Sequence, residues 1–325
     1  MFAGSALLSA LLCGLYWHFA RRRQWLAHPN ARSSHEIPTP HGGGVGLFGA
    51  FLLSMAAYFI AAEYTPLMYS CLLAIVAVLV VLGIVDDLRP LPSRLRFWVY
   101  AVLCLAYALL LGTGAQLPLL WLILGVGAAA LALLWHMNLY NFMDGIDGIA
   151  ASQALLVSGL AGLLASSQQM DSSYVVMCFC LAGCHLGFLC WNKPPARMFM
   201  GDAGSIPTGF LIAALAILGQ LQQPGMLGVW VILTAVFVVD ATWTLLRRAR
   251  RGERLSEAHR NHAYQRLSRH WHSHMKVTAL LWILVLGWLA PLAWCALNFP
   301  KFQILLVILA YLPLLIGMAK LQKLA

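Results

Sequence analysis

Charge is scarce in this chain, and acid is its scarcest form. Only 11 of 325 residues are Asp or Glu, and charged residues of both signs make up 10% of the sequence. Soluble domains carry about 25%. With 61% hydrophobic residues and a mean hydropathy of +0.78, the composition excludes an ordinary soluble domain and fits a polytopic helical membrane protein. There is no low-complexity tract, no linker, no internal repeat of the kind many transporters show, and no basic soluble domain to carry nucleic acid. The eight cysteines all fall in apolar runs, so they imply no disulfide framework. Cys178, Cys180, Cys184 and His185 match no zinc spacing and read as packed thiols with a packed, hydrogen-bonded histidine; His136 reads the same way. The first apolar run ends in Arg21-Arg22-Arg23 rather than a small-residue cleavage site, which predicts a retained helix.

What is present in quantity is long apolar sequence. Runs near the 20 residues that cross a bilayer predict eleven spans: Phe2–Ala20, Val45–Ala62, Leu67–Val85, Phe97–Leu111, Leu117–Met137, Ile149–Ala165, Tyr174–Trp191, Ile206–Gln220, Met226–Leu246, Val277–Leu297 and Phe302–Met318. The expectation is an all-α fold, with residues 1–325 forming one membrane-embedded catalytic domain. Eleven spans place every Lys and Arg except Lys301 on one side. Positive charge stays cytoplasmic, which predicts an outside N-terminus and a cytoplasmic C-terminus. The net charge of +10 then belongs to one face, suited to lipid headgroups and anionic soluble substrates.

Most of the few acids, Glu63 and Asp171 excepted, gather on that same face. They lie in GIVDDLRP (Asp86, Asp87), NLYNFMDGIDG (Asp144, Asp147), RMFMGDAGS (Asp202), VVDATW (Asp240) and the basic stretch from Arg247 to Leu267. Carboxylates near hydrocarbon are costly and mark function by default. Asp86 and Asp87 close a helix, where acids oppose its dipole, and adjacent helical positions diverge by about 100°. Asn138, Asn141, Asp144 and Asp147 recur every third residue, a spacing that keeps them near one face of a helix or tight turn. Asp202 opens a helix, as a cap or as a carboxylate holding Mg²⁺ against a diphosphate. Ser33, Ser34 and His35 precede Gly42-Gly43-Gly44 in a loop suited either to phosphate contact or to helix entry. The basic loop includes His259, Arg260, His262, Arg266 and Arg269, able to neutralise a diphosphate. His270, His272 and His274 read as surface residues.

Together PNARSSHEIPTPHGGG, Asp86-Asp87, NFMDGIDG, FMGDAGS and Asp240 followed by basic residues resemble the polyprenyl-phosphate N-acetylhexosamine-1-phosphate transferase family, over roughly Pro29 to Leu267 and in family order. The resemblance implies catalytic roles for Asp86 and Asp87 near the lipid phosphate, for Asp144 and Asp147 around the nucleotide sugar, and for His262. It implies Mg²⁺, with Mn²⁺ as a substitute, on Asn141 and Asp202. It implies substrate contacts from Asn138, Asn141, Ser34, His35, Arg197, Arg260 and Arg266. Ala27 and His41 stand where the family often has Asp and Arg. His262-Ala263-Tyr264-Gln265 replaces a His-x-His-His motif, which is more like the O-antigen-initiating members than the peptidoglycan enzyme.

The expected substrates are therefore undecaprenyl phosphate and a UDP-N-acetylhexosamine, with UMP released. The expected location is a bacterial inner membrane, with the site facing the cytoplasm among membrane lipids and a homodimer one assembly open to it. The competing readings are a flippase or transporter of polyprenyl-linked sugar and a polyprenyl-pyrophosphate phosphatase. Transporters place ionisable groups near the bilayer midplane, whereas these acids lie at helix ends.

Overall fold

The structure, a computed structural model, describes residues 1–27, 38–113, 116–253 and 260–321. It is helical apart from a two-residue antiparallel ladder, β1 (Leu26–Ala27) with β2 (Thr39–Pro40). The helices are α1 (Phe2–Arg22), α2 (Gly44–Ala61), α3 (Leu67–Leu88), α4 (Ser93–Gly112), α5 (Leu119–Phe142), α6 (Ile149–Ser167), α7 (Ser172–Asn192) and α8 (Asp202–Gln222). After them come α9 (Met226–Leu233), α10 (Ala235–Arg250), the short α11 (Ala263–Trp271), α12 (His274–Leu284), α13 (Ala290–Asn298) and α14 (Gln303–Leu321). A π-turn over Val285–Leu289 joins α12 to α13 in a single span.

Among the described residues ten helices are long and apolar enough to cross a membrane, and the α9–α10 pair, bent by 64°, adds an eleventh where the two count as one span. Ten of the expected spans are there as single helical segments, with different ends. The fourth and eighth are longer than their apolar cores, because the helices run on through Arg94 and Arg96 and through Asp202 to Ser205. The ninth is broken at Thr234, whose hydroxyl donates to the Trp230 carbonyl at 2.7 Å. Such back-bonding competes with the helical ladder and bends helices.

The axis of the bundle is α8, buried at every residue from Ala203 through Ala216. Two glycines let neighbouring helices reach its first turn. A Cβ on Gly83 of α3 would lie 2.4 Å from Ala203 Cα, and one on Gly44 of α2 would lie 2.2 Å from the Gly204 nitrogen. Backbone-to-backbone packing thus fixes the end of α3 against the start of α8. Gly83→Ala should cost about 1–3 kcal/mol through overpacking, read as a lower melting temperature in detergent. An unchanged melting temperature would mean that α3 and α8 are not held in this contact.

Candidate active site

The α3–α8 contact brings three aspartates together. Asp87 receives the exposed N–H groups at the start of α8: Asp202 N–H donates to Oδ1 at 2.9 Å and Ala203 N–H to Oδ2 at 3.2 Å. Free N–H groups and the helix dipole make this a stable seat for a carboxylate. Gly201 precedes that turn with φ +72°, and a Cβ there would lie 2.5 Å from Asp87 Oδ2, so only glycine fits. His41 Nε2 lies 2.9 Å from Asp87 Oδ1. Burial opposes the imidazolium of His41, but the bond to Asp87 and the charges of Asp87, Asp202 and Asp144 outweigh it and raise the pKa. His41 thus sets an imidazole beside Asp87, with its protonated form favoured by the surrounding carboxylates.

Asp86, though adjacent, faces elsewhere. It accepts from the Leu91 N–H at 2.6 Å and pairs with Arg96. The same guanidinium nitrogen of Arg96 lies 3.1 Å from Asp202 Oδ2. Arg96 therefore bridges the end of α3 and the start of α8. It is a site residue the sequence reading missed; the only available signal was a basic residue ten positions after Asp86 with a Pro-rich turn between.

The third-residue series after Asn138 does not continue on one helix. The helix α5 ends at Phe142, so Asn138 and Asn141 are helical while Asp144 and Asp147 lie in the turn to α6. Asn138 donates to its own helix at Leu134 O, 2.7 Å away. Asn141 Oδ1 accepts from Ser205 Oγ at 2.8 Å, which ties α5 to the first turn of α8. Asp147 Oδ2 accepts from the Ala196 N–H at 3.0 Å and lies 3.1 Å from His274 Nδ1. His274 is therefore not a plain surface residue: it opens α12 directly against Asp147. Asp144 makes no side-chain hydrogen bond or ion pair among the described residues. Burial pushes its carboxyl well above the ordinary range; His41 opposes the shift, and Asp202, Asp87 and Asp147 add to it. One electrostatic cluster thus holds Asp87, Asp144, Asp147 and Asp202.

On the far side of the Asp144 turn lies α11. Asp240 on α10 caps it, accepting the Ala263 N–H at 2.9 Å and the Tyr264 N–H at 3.0 Å. His262, 2% exposed, places Nδ1 3.2 Å from Asp240 Oδ1, and its ring stacks between Phe142 and Tyr264. Tyr264 O–H donates to Phe142 O at 2.9 Å and fills the space beside Gly145. The residues departing from the His-x-His-His pattern thus lock α11 onto the turn that carries Asp144. Arg266 donates to Leu321 O at 2.5 Å, and the Arg260 carbonyl accepts from Arg269. Arg197 is exposed beside Ala196. Ser34 and His35 lie outside the described residues. His136 and His185 are packed as expected, bonded to Gly209 O at 2.9 Å and to Leu181 O and Thr208.

The donors fit a hard cation. Asp202 offers a carboxylate and Asn141 an amide oxygen, the latter tied by Ser205 to the first turn of α8 that carries Asp202. Among the described residues no three His, Cys, Asp or Glu side chains gather as a metal cage. That suits Mg²⁺, which takes one or two carboxylates and completes its shell with substrate phosphate and water, and it does not suit a closed zinc site.

The chain is similar to known proteins over most of its length. The chain is 29% identical over 321 residues to a decaprenyl-phosphate N-acetylglucosaminephosphotransferase of Mycobacterium leprae, covering 86% of this chain and 79% of that protein. It is 26% identical over 269 residues to a Bacillus subtilis protein named as a probable undecaprenyl-phosphate N-acetylglucosaminyl 1-phosphate transferase, covering 79% and 73%. It is 26% identical over 283 residues to a phospho-N-acetylmuramoyl-pentapeptide-transferase of Chloroflexus aggregans, covering 76% and 73%. The model of glycosyl transferase family 4 matches residues 69–220, from α3 through α8, the segment that carries Asp86, Asp87, Asn141, Asp144, Asp147 and Asp202. From α3 through α8, the part of the bundle whose helix ends carry these aspartates, the chain is thus similar to glycosyl transferase family 4.

Proposed function

We propose that this enzyme transfers N-acetylhexosamine-1-phosphate from a UDP-N-acetylhexosamine to undecaprenyl phosphate, releasing UMP and starting a lipid-linked cell-surface glycan such as O-antigen. It works on the cytoplasmic face of the bacterial inner membrane, with the N-terminus outside, as the basic-residue asymmetry supports. The observation that carries this reading is the meeting of Asp87, Asp202 and Asp144 at the ends of three membrane helices, beside His41 and Arg96.

A phosphate oxygen of the lipid attacks the sugar-bearing phosphorus, the bond to the bridging oxygen breaks, and that oxygen leaves with UMP. Bound at Asp202 and Asn141, Mg²⁺ would supply neutralisation of the diphosphate. Asp87, paired with His41, takes a proton from, or orients, the lipid phosphate. Asp86 and Asp202 share Arg96, which sets a guanidinium next to the diphosphate position and keeps it from pairing with Asp202 alone. Asp144 and Asp147 face the nucleotide sugar. His262, backed by Asp240, completes the wall on the α11 side, with Arg260 just before that helix and Arg266 within it.

Purified protein should release UMP only when both undecaprenyl phosphate and one member of a UDP-N-acetylhexosamine panel are present. Release should stop with EDTA and return with Mg²⁺ or Mn²⁺. UMP release without the lipid, or phosphate release from a polyprenyl pyrophosphate without a UDP-sugar, would overturn the reading. Full turnover in EDTA would remove the metal from it.

A further inference from the structure

A second cavity, of about 230 Å³, lies where α10, α11 and α14 end. Its walls are unusual for a membrane protein: Arg247, Arg251, Arg266 and Arg269 all line it, together with the buried Arg248. Glu253 is the one carboxylate among the lining residues, and it is bonded to Arg248 at 2.8 Å. The other four guanidiniums meet no carboxylate among the described residues. Arg266 and Arg269 each give a bond to a backbone carbonyl, Leu321 O and Arg260 O. Such crowding is felt locally: partial burial, Arg260 and Arg266 all lower the pKa of Arg269.

Like charges gathered at a membrane surface repel unless an anion joins them. The guanidinium fork matches phosphate oxygens in pairs. The remaining walls include Trp243, Met318 and Leu321, an apolar side at the level where Trp sits in membranes. On the same face of α14 as Met318, Tyr311, Leu314 and Leu315 are partly buried and extend the apolar wall along the helix. None of Asp86, Asp87, Asp144, Asp147 and Asp202 lines the cavity. Asn261 and Ala263 do, but His262 between them turns its ring to Asp240 and Phe142. The volume is below the roughly 300–1,000 Å³ of small-molecule sites, which suits a phosphate headgroup rather than a nucleotide sugar.

We propose that this cavity binds the phosphate of an anionic phospholipid, with Arg247 and Arg251 on its headgroup and its acyl chains along α14. Basic pockets between membrane helices on the cytoplasmic side take such headgroups. The site is separate from the aspartate cluster, so it stands or falls independently of the transfer reaction.

The test is native mass spectrometry and thermal melting of the full-length protein in detergent, with phosphatidylglycerol or phosphatidylcholine of identical acyl chains. The wild type should retain phosphatidylglycerol preferentially and melt higher with it. Arg247→Gln/Arg251→Gln should melt like the wild type without lipid and hold phosphatidylglycerol roughly thirtyfold more weakly, taking about fivefold per surface arginine. Equal retention of the two lipids by the wild type would overturn the proposal on unmutated protein. So would a double variant that keeps the preference. Inorganic phosphate raising the wild-type melting temperature as much as phosphatidylglycerol, an effect absent from the double variant, would assign the pocket to a soluble phosphate and overturn the lipid source.

Discussion

Asp144→Asn should abolish transfer and leave the protein melting at or above the wild-type temperature. The other aspartates of the site have structural work: Asp87 caps α8, Asp86 and Asp202 share Arg96, and Asp147 receives the Ala196 N–H. Asp144 makes no such bond among the described residues, and it stands among like charges at Asp202, Asp87 and Asp147. A half-buried carboxylate with no partner costs stability, so Asn at this position relieves repulsion rather than breaking a contact. Its use must lie with a ligand. Loss of a positioned acid or base lowers rates by about 10²–10⁴, and formation of the lipid-linked sugar by purified variant and wild type measures it. Transfer within a few-fold of wild type would remove Asp144 from the chemistry; a large fall in melting temperature would show that it has a structural role after all.

The site was readable from sequence as far as single helices go. Apolar runs gave the spans, and the acids at the ends of those runs gave Asp86, Asp87, Asp144 and Asp202, because both signals live within one helix and its cap. Pairings between helices were not readable. Arg96 meets Asp202 only because Gly44 and Gly83 let α2 and α3 touch the backbone of α8, and no spacing within one segment encodes that approach. His41 stands where the family often has Arg, and its partner was not readable either: the structure sets it 2.9 Å from Asp87. His274 was assigned to the surface because it sits in a polar stretch, yet α12 begins there and brings it to Asp147. Asp240 was noticed as an intramembrane acid, but its task, capping α11, depends on a chain reversal after α10.

Asp86→Asn and Asp87→Asn should fail in different ways. Both oxygens of Asp87 accept from backbone N–H groups of α8, and one of them also meets His41. An Asn amide turned either way aims a donor at a donor. The cost is that of an unmet buried group, about 1–3 kcal/mol, so Asp87→Asn should lower the melting temperature as well as turnover, the latter by about 10²–10⁴. Asp86 instead competes with Asp202 for Arg96. Removing its charge leaves that guanidinium to Asp202 alone, against any cation bound there. Asp86→Asn should therefore raise the Mg²⁺ concentration needed for half-maximal rate, and adding Arg96→Gln should bring that concentration back down. Rates measured across a Mg²⁺ series, beside melting curves for the three proteins, separate the two roles. Equal, mild losses with unchanged metal dependence would reduce the aspartate pair to a polar helix end.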